Sequence, residues 1–150
     1  MHSIVRKLPA VARVLLGLIF TVFGLNGFLH FIPQPPMHPG PMMDFFMGLM
    51  GTGYFFPLLK GTEVAAGLLL LANRFVPLAL TVLAPIVVNI VAVHTFLAPA
   101  GLPLAVVVLA LEVYLAWAHR EAYEGVLRAR TPEAAPESAR VPATAHPSHA

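Results

Sequence analysis

Cysteine is absent from this 150-residue chain, which excludes disulfides, thiol catalysis, and thiolate-held metal or iron–sulfur centres. Charge is scarce as well. Asp, Glu, Lys and Arg make up 11% of the residues, against roughly 25% in a soluble globule. Two stretches, 30–53 and 97–102, contain no Lys or Arg at all. The net charge of +2 is too small and too localised to indicate a nucleic-acid partner, and it bears on orientation instead. What the chain has in abundance is hydrocarbon, with 58% hydrophobic residues and a mean hydropathy of +0.80. That much apolar surface needs lipid to cover it, so the sequence predicts an integral membrane protein, a single domain by length.

A helix crossing about 30 Å of hydrocarbon needs roughly 20 mostly apolar residues. Four segments approach this length, at about 11–32, 53–72, 76–97 and 102–118. Arg6, Lys7 and Arg13 stand at the head of the first, Arg74 lies between the second and third, and Arg120, Arg128 and Arg130 follow the fourth. By the positive-inside rule both termini and the 2–3 turn are cytoplasmic, and the pattern alternates as four crossings require. Backbone polar groups must be satisfied within the bilayer, so the expected fold is all-α, a four-helix transmembrane bundle with both termini cytoplasmic. It divides into a cytoplasmic N-terminus (1–10), a membrane domain (11–120) with an outer loop (33–52), and a cytoplasmic tail (121–150). The tail, rich in Pro, Ala and Ser from about residue 131, cannot bury enough surface to offset ordering and is expected to be disordered, its His146 and His149 solvated.

Within the spans, Gly17, Thr21, Gly24 and Gly27 fall on one stripe that permits close helix approach. Pro85 removes a backbone donor in the third span and predicts a kink there. Against this apolar background a few polar residues stand out. Lys60, Glu63 and Gly67 share one helical face. Asn26 and His30 come from the first span, Asn89 and His94 from the third, and Glu112 from the fourth. A charge at mid-bilayer costs about 2.5–3.5 kcal/mol on insertion scales. These groups are therefore expected to point inward and satisfy one another. Lys60 pairs with Glu63, and Glu112 is protonated or partnered by His30 or His94. The cluster Asn26, His30, Lys60, Glu63, Asn89, His94 and Glu112 is the candidate buried pocket. It reads either as glue that fixes helix register or as a site that binds a small polar headgroup or relays protons.

His30 and His94 raise a haem reading that no other residue supports. The outer loop holds five of the six methionines, from Met37 to Met50, with His38 among them. Thioethers with a His can hold Cu(I), but "MMDFFMGLM" reads better as a short amphipathic or re-entrant segment packed on the bundle or lying at the interface. There it would cap the outer mouth above Lys60 and His94. No metal ligand set is assigned.

Three stretches, "RVLLGLIFTVFGLNGFLHF", "GYFFPLLKGTEVAAGLLLLANRFVPLAL" and "NIVAVHTFLAPAGLPLAVVVLALEVYLAWAHREAY", together covering most of residues 11–128, resemble the DoxX-like family of small four-helix membrane proteins. The resemblance implies a bacterial cytoplasmic (inner) membrane location and a role beside redox systems. Relatives look like membrane subunits of thiosulfate:quinone oxidoreductase and partners in oxidative-stress complexes, and distant ones like assembly factors or chaperones. No catalytic residue carries over. The Cys pairs of thiol-redox four-helix relatives are missing here, which argues against disulfide chemistry. The leading expectation is a membrane subunit of a redox or stress-response complex whose pocket contacts quinone through His30 or His94, with Glu63 or Glu112 handling protons. The competing expectation is a non-catalytic scaffold or assembly factor.

Overall fold

The computed structural model describes residues 2–33, 36, 38–125 and 127. The tail expected to be disordered, with His146 and His149, and the cations Arg128 and Arg130 lie outside the described residues, as do Pro35 and Met37. The described residues form five α-helices and no strand: α1 His2–Leu29, α2 Pro41–Gly51, α3 Phe55–Leu71, α4 Val76–Phe96 and α5 Leu102–Ala118. Short 3-10 turns occupy Pro99–Gly101 and Arg120–Tyr123. Four of the helices fall where the hydropathy runs lie. α1 begins earlier than the run does, because the helix continues back through Pro9 to His2. α4 runs unbroken through Pro85.

Among the described residues three helices are long and apolar enough to cross a membrane, or four if α2 and α3, which meet at 91°, count as one broken span. α3 alone has 17 residues, about 26 Å at 1.5 Å per residue, slightly short of the hydrocarbon thickness. The outer surfaces of α1, α4 and α5 carry exposed Leu15, Leu18, Leu78, Val88, Val107 and Val113. Such a continuous apolar exterior is a surface for lipid rather than water.

α1 lies mainly along α3, and α4 mainly along α5. The first contact is the tighter, and glycine explains why. A Cβ on Gly67 would stand 2.7 Å from the Thr21 nitrogen and 2.9 Å from the Gly17 carbonyl oxygen. The α1 and α3 backbones therefore touch directly, as the small-residue stripe implies. The remaining core is aliphatic: Leu16 and Phe20 of α1, Leu70 of α3, Leu80, Leu83 and Val87 of α4, and Leu115 of α5 are all buried.

The chain reverses between α3 and α4 in four residues. The Arg74 amide donates to Leu69 O at 3.0 Å and the Asn73 amide to Leu70 O at 3.1 Å. Asn73 takes the left-handed conformation (φ 55°). This closure satisfies the last carbonyls of α3, with Asn in a role usually given to Gly. Arg13 completes it from α1, its guanidinium donating to Leu70 O and, at 3.2 Å, to Leu71 O. A cation that reads in sequence as a marker of membrane sidedness thus also caps a neighbouring helix.

Candidate functional site

At the α2 end of the bundle, Lys60 Nζ donates to Glu63 Oε2 at 2.8 Å, one turn apart on α3. Glu63 is buried, with a side-chain exposure of 5%, and Lys60 retains 20%. The lysine reaches this position because α1 gives way to it. A Cβ on Gly27 would meet Lys60 Cγ at 2.6 Å and Cδ at 2.7 Å, so the aliphatic stem lies in the groove that the missing side chain leaves. Gly24 similarly admits Val64 and the Glu63 Cβ. The Lys60 ammonium also lies 5.9 Å from the centre of the Phe56 ring, within cation–π range.

His94, at the end of α4, faces the same space. Its Nδ1 lies 3.1 Å from Ala98 O. A carbonyl only accepts, so Nδ1 carries the proton and Nε2 is the nitrogen left for other chemistry. The ring rests on Gly101, where any Cβ would collide with it. Together Lys60, Glu63 and His94 line a cavity of about 230 Å³ walled by Phe20, Phe23 and Val108 among other apolar residues. An ammonium and a carboxylate from α3 and an imidazole from α4 thus converge on one apolar-walled space.

The other expected pocket residues lie elsewhere. Asn26 is buried, but its Oδ1 accepts the Ile32 amide at 2.7 Å. It ties off the end of α1 instead of facing the cavity. His30 is exposed. It follows the last residue of α1 with a positive φ of 52°, and this turn carries it out of the helical face it would share with Asn26. Asn89 is also exposed. It lies nine residues beyond buried Leu80, half a turn out of phase with the α4 core face of Leu80, Leu83 and Val87.

Glu112 is buried but does not line the Lys60 cavity. It lines a second one, of about 400 Å³, between α4 and α5. Its Oε2 has no hydrogen-bond partner among the described residues. Tyr123, from the turn after α5, lines the same space and donates its hydroxyl to Pro77 O at 2.9 Å. Burial pushes the Tyr123 phenol above its usual value. The sequence suggests a single polar cluster, whereas the bundle separates it into two cavities. A cue was available: Val108 and Glu112 are four residues apart on the buried face of α5, so they sit at different depths.

α2 presents no buried residue. It leans on α3 through Phe46, whose ring meets Phe56 edge-on at 5.5 Å. No α2 residue lines the Lys60 cavity, so this part of the methionine-rich segment does not form its wall. Among the described residues no group of three or more His, Asp or Glu side chains is placed to hold a metal ion. No protein-family model, curated protein or solved structure matches the chain.

Proposed function

We propose that this chain is a four-helix membrane protein with both termini on the cytoplasmic side, and that the Lys60–Glu63–His94 cavity binds the headgroup of a quinone. The observation that carries the reading is the buried ion pair beside an imidazole with one free nitrogen, in an otherwise apolar cavity. Lys60 Nζ keeps protons beyond the one it gives Glu63, so it can donate to a quinone carbonyl oxygen. Glu63 and His94 Nε2 can accept from the hydroxyls of the reduced form. The apolar walls suit the ring and the start of its tail. In this reading the ion pair is a bound donor–acceptor set held away from water, where hydrogen bonds to charged groups are strong. The DoxX-like resemblance supports the same assignment, with the chain as a membrane subunit of a redox or oxidative-stress complex in the bacterial cytoplasmic membrane and a membrane redox protein as partner.

Calorimetric titration of the detergent-solubilised protein with a short-tailed ubiquinone analogue tests this. Saturable binding is expected, weakened at least about tenfold by Lys60→Met or by His94→Ala, which corresponds to about 1.4 kcal/mol. Binding that both variants leave unchanged would overturn the assignment.

A second reading has its own observation. Glu63 and Lys60 already satisfy one another at 2.8 Å, and the lysine stem is fitted against Gly27, as expected of groups that fix the register of α1 on α3. The protein would then be a scaffold or assembly factor without ligand chemistry. Stable co-purification with another membrane protein, undiminished in both variants and accompanied by no quinone binding, is the outcome that supports it.

A further inference from the structure

The α4–α5 cavity differs from the Lys60 cavity in charge and in access. Among its lining residues is Glu112, 6% exposed, with Oε2 unpartnered among the described residues. Its rim includes Thr81, Ala84, Val88 and Val113, all exposed on the lipid-type exterior. It therefore opens sideways, between two helices.

The wall is almost entirely apolar, and the two hydroxyls among its lining residues are already engaged as donors. The Thr81 hydroxyl is spent on Pro77 O at 2.8 Å, and the Tyr123 hydroxyl donates to the same oxygen at 2.9 Å. Pro85 has no N–H, so the Thr81 carbonyl loses the donor that an ordinary helix would give it. Among the described residues no Lys, Arg or His lines the cavity. An unsatisfied carboxyl in such a wall costs free energy until a donor reaches it.

We propose that this cavity is a second binding site, entered from the membrane, for an amphipathic amine whose N–H is received by Glu112 and whose apolar body lies between α4 and α5. The charge distribution separates the two sites. Lys60 would repel an ammonium from the first cavity, whereas the second offers a carboxyl with no competing cation. The inference rests on the membrane placement of the helices and not on quinone binding in the first cavity. An ammonium of this kind can come from a free lipophilic amine or from an ethanolamine lipid headgroup. Glu112 lies six residues before the end of α5, about 9 Å along the axis.

The test uses dansylcadaverine, a fluorescent primary amine, with the full chain reconstituted in phosphatidylcholine vesicles. The chain has one tryptophan, Trp117, which stands five residues beyond Glu112 and reports by energy transfer to the dansyl group. A saturable transfer signal is expected, absent for the dansyl butylamide that lacks the ammonium. Glu112→Gln should weaken it at least about tenfold, since truncating one partner of a desolvated charged contact usually costs more than 1.4 kcal/mol. Should Glu112→Gln fail to fold, Ala84→Phe provides an independent test: the added ring blocks the entrance without adding a second energy donor, and should abolish the dansyl emission sensitised by Trp117.

Vesicles containing phosphatidylethanolamine distinguish the sources. Competition with the probe identifies the lipid headgroup as occupant, and unchanged binding identifies a free amine. Equal binding of the amine and its neutral analogue would overturn the proposal, as would undiminished binding in a folded Glu112→Gln protein or in Ala84→Phe.

Discussion

Lys60 and Glu63 could be paired from the sequence alone, because three residues apart on a helix places them on one face and hydrocarbon leaves them no better partner. What the sequence hides is that a glycine on another helix makes room for the pair. Breaking a buried pair is costlier than removing it, because the survivor is left uncompensated. Lys60→Met and Glu63→Gln should each lower the thermal midpoint in detergent, and the double variant should recover much of the loss, with a coupling of about 1–3 kcal/mol. Additive losses would show the contact to be incidental. Gly27→Ala should push the lysine stem off α1 and loosen the pair, reproducing part of the Glu63→Gln loss in the same melting experiment. The other polar residues show why the remainder of the site was not legible. Asn26 is consumed by a backbone amide, Asn89 points out of phase with the core, and His30 sits past a helix end that the apolar run does not reveal. A polar residue in an apolar run says only that it needs a partner, and the partner depends on helix rotation, which hydropathy does not fix.

At the scale of elements, the positions of α3, α4 and α5 followed closely from hydropathy and turn residues, whereas the start of α1 did not. A helix can extend beyond its apolar run at little cost, so composition marks the run and not the helix. The glycine stripe correctly indicated a close-packed face, and the bundle identifies its partner as α3. Gly67→Ala would force apart two backbones that touch, and overpacking of this kind typically costs about 1–3 kcal/mol. A clear fall in thermal midpoint is expected, and no fall would mean that the seam can open freely. Arg13→Met tests the cap. It strips a charged donor from the Leu70 and Leu71 carbonyls, with an expected loss of about 1.5–3 kcal/mol, read as earlier hydrogen exchange at the end of α3 than in α4.

For the molecule as a whole, the proposed sidedness comes from where cations are missing. The lack of native cysteine makes the test direct. Single cysteines at Asn73 and at Thr52, placed at opposite ends of α3, should react with an impermeant maleimide from opposite faces of the membrane, with Thr52→Cys labelled in intact cells and Asn73→Cys only after lysis. Labelling of both from outside would refute four crossings. Hydropathy located four of the five described helices but could not reveal that α4 and α5 are parted enough to leave a lateral opening beside Glu112, because that gap depends on side-chain volumes in three dimensions.

The right angle between α2 and α3 has a mechanical consequence. In the proposed membrane placement, with α3 upright, α2 would lie flat like an outrigger, joined to it by a short bend in which the Thr52 hydroxyl donates to Leu49 O and accepts the Phe55 amide. A thinner or thicker bilayer would then change the tilt of the bundle before it changed the immersion depth of this flat segment. The mouth beside Lys60 would keep its height above the acyl chains while the opposite end of the molecule absorbed the mismatch.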